Sequence, residues 1–311
     1  MIFEANQQNI QKAADLIQSG DVVAFPTETV YGLGASAYNA KAIAKIFAVK
    51  NRPTFNPLIS HIADIDFLAE YAITDERVTA LAHRFWPGPM TFILNRKDKN
   101  PALDLACAGL DKISVRMPNH PVALDLIRAA GVPIVAPSAN KSQTISPTTA
   151  EHVQQSLGDA VPMILDAGPC TVGVESTILD MTHKQIVVLR AGGLAAETIE
   201  DFLGEKVAFS DGNPNKPSSP GQLLKHYAPR YETRINVLKP ESDEFFVGFG
   251  PMVCDLNLSP KGDLQEAAAN LFLMLHLAET QTNKQKIAIA PIPDKDLGRA
   301  INDRIKRASY K

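Results

Sequence analysis

Several separated stretches of this 311-residue chain carry side chains suited to holding anions and amino groups. Lys50-Asn51-Arg52 offers a compact ammonium and a planar guanidinium close together, a combination that phosphate oxygens favour. Pro53 and Pro57 stiffen the segment that follows, with Asn56 between them. Ser138-Ala139-Asn140 supplies hydroxyl and amide groups straight after the apolar run Ile134-Val135-Ala136, and Ser146 follows in a hydroxyl-rich loop with Thr144 and Thr148. Arg116 lies between Val115 and Met117, where a charge on a buried strand needs a partner or a ligand. Arg190 ends another apolar strand, and Ser176 follows Gly173-Val174-Glu175. Thr27, Thr29 and Tyr31 present hydroxyls ahead of Gly32-Leu33-Gly34, and His61 sits in Leu58-Ile59-Ser60-His61-Ile62.

Each of these has an ordinary structural use as well. Lys50 and Arg52 follow a helix carrying Lys41 and Lys45, where cations offset the helix dipole. A lone histidine on an apolar strand is more often a satisfied structural group than a catalyst. Arg116 could equally sit in a salt bridge, and Ser138 and Asn140 could cap a turn. Gly32-Leu33-Gly34-Ala35-Ser36-Ala37 matches a GxGxxA dinucleotide fingerprint, but Pro26 and a further stretch separate it from the preceding strand. No acid stands about 20 residues on, so that use is rejected and a loop with permissive glycines is expected. The chain has no GxxxxGK[ST], GxSxG or HExxH motif, and no clustered His/Cys set marks a metal site. The chemistry left open is non-covalent: positioning anions and balancing their charge.

The elements that must hold these residues alternate between strand and helix. Ile10, Ala13, Ala14, Leu16 and Ile17 have helical spacing over 8–19, stopped by Gly20. Val22–Phe25, Leu58–Ile62, Met90–Leu94, Ile113–Met117, Ile134–Ala136 and Met163–Asp166 read as strands, and Ser176–Asp180 with Ile186–Arg190 as a hairpin. Helices are expected after Asn39, over Asp75–Phe85, Pro121–Ala130, Thr149–Leu157 and Ala195–Leu203. The result is an α/β fold, an open twisted mixed sheet with flanking helices over residues 1–207. Residues 208–232 form a turn-rich linker, and 233–311 a small α/β domain with strands near Phe245–Phe249 and Ile287–Ala290 and a helix from Leu264 to Thr280.

Composition narrows the class. With 45% hydrophobic residues the chain can build a sizeable core, and a net charge of -3 argues against a general nucleic-acid coat. Cys107, Cys170 and Cys254 are widely spaced, which favours a reducing compartment. The start, Met1-Ile2-Phe3-Glu4-Ala5-Asn6, has no signal character, and no apolar run is long enough to span a bilayer. A cytoplasmic location without membrane contact is expected.

Taken in order, Pro26–Gly34, Lys50-x-Arg52, Asn56–His61, Ser114–Pro118 and Ser138-Ala139-Asn140 resemble the Sua5/YrdC/YciO family, in particular its threonylcarbamoyl-AMP synthases. The resemblance covers roughly residues 10–230, and Pro220-Gly221-Gln222-Leu223-Leu224-Lys225-His226-Tyr227-Ala228-Pro229 resembles the linker of the longer Sua5 branch. It implies that L-threonine, bicarbonate and ATP are joined into threonylcarbamoyl-AMP with release of pyrophosphate. A downstream transferase then passes the product to adenosine 37 of tRNAs reading ANN codons, as the modification t6A. By the same resemblance Thr29, His61, Arg116 and Ser176 bind L-threonine. Arg52, Asn56, Lys112, Ser138, Asn140, Ser146, Arg190 and Tyr227 meet ATP, Lys112 through its backbone. Lys50 and Arg52 carry the catalytic charge, Mg²⁺ accompanies the phosphates, and the linker folds back as a lid. Residues 233–311 look trimmed for the family's second domain and are expected only to position that lid. Two rivals remain: a double-stranded RNA-binding or ribosome-maturation factor of the same fold, in contact with RNA or tRNA, and a carbamoyl-adenylate enzyme of hydrogenase maturation. The second would need zinc-finger and acylphosphatase-like modules that this chain lacks.

Overall fold

Short apolar runs bounded by turn residues become the strands of one large sheet in the computed structural model, which describes residues 1–97, 100–210, 226–281, 284 and 286–310. In chain order these are β1 (Ile2–Glu4), β2 (Val23–Phe25), β3 (Gly32–Ser36), β4 (Ile59–His61), β5 (Met90–Asn95), β6 (Lys112–Arg116), β7 (Ile134–Ala136), β8 (Met163–Asp166), β9 (Thr177–Asp180), β10 (Val187–Arg190) and β11 (Ala208–Phe209). Their order across the sheet is β1-β8-β2-β3-β7-β4-β6-β5-β9-β10-β11. The pairing is mixed: β4 runs parallel to β6 and antiparallel to β7, while β9 and β10 form the expected antiparallel hairpin. Helices cover the sheet, and most start on caps visible in the sequence. Asn39, Asp75 and Thr149 each accept a backbone N–H at the start of Ala40–Lys50, Glu76–Phe85 and Ala150–Leu157.

The Gly32-Leu33-Gly34 segment departs from expectation. It is strand β3, not a loop, and neither glycine has a positive φ. Glycine is needed there for room. A Cβ on Gly34 would lie 2.7 Å from both Ile134 Cγ2 and Phe25 Cε1, and one on Gly32 would lie 3.3 Å from Ala136 Cβ. The central sheet is thus squeezed between β2 and β7 at the strand that leads out of the Pro26–Tyr31 loop.

Beyond the large sheet, β12 (Glu232–Arg234), β13 (Glu244–Gly248), β14 (Leu256–Asn257) and β15 (Lys286–Ile289) make a second sheet, ordered β12-β15-β13-β14 with every pair parallel. The helices Leu264–Gln281 and Leu297–Ala308 pack with it. Its core does not close on itself. Val30, Ile145, Val174 and Tyr227, all from the first unit or the connection, belong to the same buried cluster as Leu271, Phe272 and Ile301. The small unit therefore docks on the loops at one end of the large sheet, using their side chains to complete its core. Strand β11 extends the large sheet to Phe209, so the first unit runs slightly past residue 207. The proline-rich part of the expected linker, 211–225, lies outside the described residues. Among the described residues no helix is long and apolar enough to cross a membrane.

Candidate active site

Strand register creates the first half of the site. Parallel pairing of β4 with β6 sets His61 directly beside Arg116 at the two strand ends. Antiparallel pairing of β4 with β7 sets Ile59 against Ala136, and β7 then feeds Pro137-Ser138 into the same space. The Pro26–Tyr31 loop closes over them, held by Tyr31 N donating to Pro147 O, Ala139 N to Tyr31 O and Val172 N to Glu28 O. A cavity results, lined among others by Thr29, Arg52, His61, Arg116, Ser138, Ser176, Arg190 and Tyr227. It offers about 60 Å³ to water-sized groups, far below the volume a nucleotide fills.

Arg116 is held by three neighbours. Its guanidinium donates to Thr29 Oγ1 at 2.9 Å and Gly88 O at 3.3 Å, and lies 2.7 Å from Glu28 Oε2 in a buried ion pair without hydrogen-bond alignment. His61 next to it is 4% exposed, edge-on to Phe25, and its Nδ1 has no hydrogen-bond partner. Burial first, and Arg116 second, push its pKa down to about 3, so the ring is neutral and serves as a hydrogen-bonding group. Ser176 is fixed by Thr91, whose hydroxyl lies 2.7 Å from its own, and by Arg190, which donates to Ser176 O at 2.8 Å and to its Oγ at 3.2 Å.

The two distant motifs meet, in an unexpected way. Lys50, in the last turn of its helix, is 1% exposed, and its ammonium donates to Ser138 O at 2.5 Å and to Asn140 O. It staples one motif's backbone to the other's helix and is not among the cavity-lining groups; burial pushes its pKa well down. Asn51 then adopts the left-handed conformation, φ 51°, ending the helix. The reversal turns Arg52 into the cavity, where it also holds Asn56 O and Pro57 O at 3.2 and 2.9 Å. Asn140 spends its side chain on the loop, donating to Thr144 O and Ile145 O and accepting from Ser138 Oγ at 2.6 Å. Asn56 differs: its amide is buried with neither nitrogen nor oxygen partnered. Lys112 does not line the cavity, and its ammonium pairs with Asp180 Oδ2 at 2.9 Å. Tyr31, read as offering a hydroxyl to a ligand, donates it to Gly168 O at 2.8 Å instead.

Sequence reasoning left several participants unassigned. Glu28 stands behind Arg116, Thr91 behind Ser176, and His226 lines the cavity beside Tyr227. Tyr227 holds a positive φ of 62°, unusual for a non-glycine residue, where the chain passes over the cavity. Glu175 also lines the cavity, with Ser146 Oγ donating to its Oε1 at 2.7 Å and Arg304 Nε, from the last helix, donating to its Oε2 at 2.8 Å. Burial alone would raise the Glu175 pKa, but Arg304 and Arg190 outweigh it and hold the carboxyl down at about 2. Among the described residues no three acid, His or Cys side chains converge to hold a metal ion. Glu175, already engaged by Arg304 and Ser146, is no open ligand.

Comparison with known proteins gives this geometry a context. Residues 15–192 match the family model Sua5_yciO_yrdC, described as telomere recombination, and residues 194–309 match the threonylcarbamoyl-AMP synthase C-terminal domain. A threonylcarbamoyl-AMP synthase of Bacillus subtilis is 46% identical, covering 77% of this chain and 70% of its own length. One from Pyrococcus abyssi is 38% identical over 96% of this chain and 94% of its own. The crystal structure of P. abyssi Sua5 complexed with L-threonine superimposes with a TM-score of 0.91 at 36% identity, covering 99% of this chain and 97% of that one. The match runs through nearly the whole of both chains, the C-terminal unit included. With both family models matched in tandem, the chain belongs to the Sua5/YrdC/YciO family, and within it to the Sua5-type proteins that carry a C-terminal domain.

Proposed function

We propose that the chain is a threonylcarbamoyl-AMP synthase, a nucleotidyltransferase that makes L-threonylcarbamoyladenylate and pyrophosphate from L-threonine, bicarbonate and ATP. The observation that carries this reading is the convergence of Thr29, His61, Arg116 and Ser176 on one cavity with Arg52 and Arg190. An amino acid has a carboxylate, an amine and, in threonine, a hydroxyl. Arg116 suits the carboxylate, while Thr29, neutral His61 and Ser176 suit the polar remainder. Arg52, Ser138, Arg190 and Tyr227 line the rest of the cavity and suit the triphosphate, while Asn140 and Ser146 shape its wall through the Thr144–Ile145 loop and Glu175. Asn56, whose buried amide is unpartnered, accepts from Arg52 Nε through its backbone oxygen and so helps to hold the Arg52 side chain.

The reaction needs no covalent enzyme intermediate. The threonine amine combines with bicarbonate to give a carbamate with loss of water, and the carbamate oxygen attacks the α-phosphate, expelling pyrophosphate. The chain's part is to hold the reacting groups together, offset their mutual repulsion and exclude water from a hydrolysable mixed anhydride. Lys50 contributes by shaping the Ser138–Asn140 backbone, and Arg52 by facing the ligands. His226 and Tyr227 line the cavity from the connection between the two units, where withdrawing them would admit the nucleotide, the role of a lid. Mg²⁺ belongs to the ATP in this reading. The product goes on to a transferase that modifies tRNA position 37. An ATP-consuming reaction of this kind belongs in the cytoplasm, the compartment we assign it.

Pyrophosphate release by the purified protein, with ATP, Mg²⁺ and bicarbonate, tests the reading. Release that requires L-threonine and weakens with L-serine is the expected result. A folded protein that releases none, yet binds RNA with steep salt dependence, would favour the RNA-binding alternative.

A further inference from the structure

The C-terminal unit puts one fully buried cation against the wall of the cavity. Arg304 has a side chain 0% exposed, although its helix Leu297–Ala308 is otherwise strongly amphipathic and ends in Lys306 and Arg307. Its Nε donates to Glu175 Oε2 at 2.8 Å, its Nη1 to Asp303 Oδ2 at 2.8 Å, and its guanidinium lies 5.5 Å from the Tyr227 ring centre. Asp303 in turn accepts from Arg307 Nε at 2.9 Å, and Arg307 O accepts from His226 N at 3.5 Å. A single helical turn thus grips the carboxylate beside Ser176 and the two linker residues over the cavity.

Burying such a pair is a poor way to gain stability, because desolvating two ions cancels most of their attraction. The location suggests a different use. Glu175 lines the same cavity as Arg52, Arg190 and Tyr227, and it is next to the residue whose hydroxyl Thr91 and Arg190 fix. A free carboxylate there would repel a triphosphate. The structure keeps the carboxylate, which fixes the Ser146 hydroxyl through its other oxygen, and brings its counter-ion from the other domain.

We infer that Arg304 is a positioning residue for nucleotide binding: by neutralising and orienting Glu175, the C-terminal domain makes the cavity wall acceptable to a polyphosphate, so that the site is complete only when that domain is docked. The inference rests on the synthase reading and adds to it a stated electrostatic function for the second domain. Merely gluing the domains together would be a different role, and the two separate experimentally.

The test compares wild type, Arg304→Met, Glu175→Gln and the double variant, using calorimetric titration with ATP and Mg²⁺ and initial-rate kinetics in both substrates. Arg304→Met should weaken ATP binding about tenfold, since the Glu175 carboxylate loses its hydrogen-bonded counter-ion and draws on Arg190, a cation that would otherwise serve the phosphates. Its KM for L-threonine should rise less than its Kd for ATP, because a freed carboxylate repels one amino-acid carboxylate less than a triphosphate. Removing the carboxylate as well should restore ATP affinity to within about threefold of wild type, which lost packing could not do. Arg304→Lys should retain most of the affinity. Unchanged ATP binding in Arg304→Met, or a double variant as weak as the single one, overturns the inference. If Arg304→Met does not fold, Glu175→Gln decides, since Asp303 still partners Arg304. Equal or tighter ATP binding supports the inference, and weaker binding overturns it. A wild type that fails to bind ATP at all removes the synthase reading and this inference with it. A wild type that binds while Arg304→Met binds equally well removes the inference alone.

Discussion

Acidification should unfold this protein from inside, through its histidines. His61 and His226 are buried beside the cavity, and His152 and His276 stack at 3.8 Å between the two units. Burial lowers all of them, to about 3 for His61, His226 and His276 and to about 4 for His152. The unfolded chain takes up these protons near the ordinary value of 6.5, whereas the folded chain refuses them until far lower pH. Their contribution is therefore present above 6.5 and is lost as pH falls below it. Each group costs about 1.4 kcal/mol by pH 5.5, so the four together cost about 5–6 kcal/mol, comparable with the whole stability of many domains. Glu279, raised by burial, opposes the trend as it takes up a proton, and Glu175, held at about 2, adds its own loss only at lower pH. Urea denaturation at a series of pH values measures the slope. Replacing both His152 and His276 by Gln should remove somewhat less than half of it, because His61, His226 and His120, also lowered by burial, keep the remainder. A stability that changes by less than about 1 kcal/mol between pH 7 and 5.5 would refute the reasoning.

Two further outcomes follow from close contacts elsewhere. Gly34→Ala should destabilise by about 1–3 kcal/mol in urea denaturation, since its methyl group would meet Ile134 and Phe25 at 2.7 Å in a strand with no room to yield; a neutral effect would mean that β3 is not so confined. Arg116→Met should cost about 3–5 kcal/mol by stranding the buried Glu28 carboxylate. Adding Glu28→Gln should recover part of that stability but none of the L-threonine binding seen by calorimetry, and recovered binding would mean that Arg116 is only a structural partner.

What could be read from the chain was local. Cap residues such as Asn39, Asp75 and Thr149 mark helix starts because a side-chain acceptor satisfies the first free N–H groups, whatever the rest of the fold does. Apolar runs such as Ile134–Ala136 mark buried strands because their side chains leave water on both faces of the sheet. Strand β3 escaped because its glycines satisfy a constraint imposed by Ile134 and Phe25, both remote or on another strand. The helix Leu297–Ala308 escaped because its buried face includes a charge. The site divides along the same line. Lys50 and Arg52 look interchangeable as phosphate ligands in the sequence, yet a helix turn directs one at the backbone of Ser138 and Asn140 while the left-handed Asn51 directs the other at the cavity. Arg304 and Glu175 are 129 residues apart and carry no spacing that links them. A sequence motif thus names the groups able to bind an anion. Whether each one meets a ligand or a neighbouring carboxylate is set by the register of β4 against β6 and by how the second domain docks, and those contacts exist only once the chain has folded.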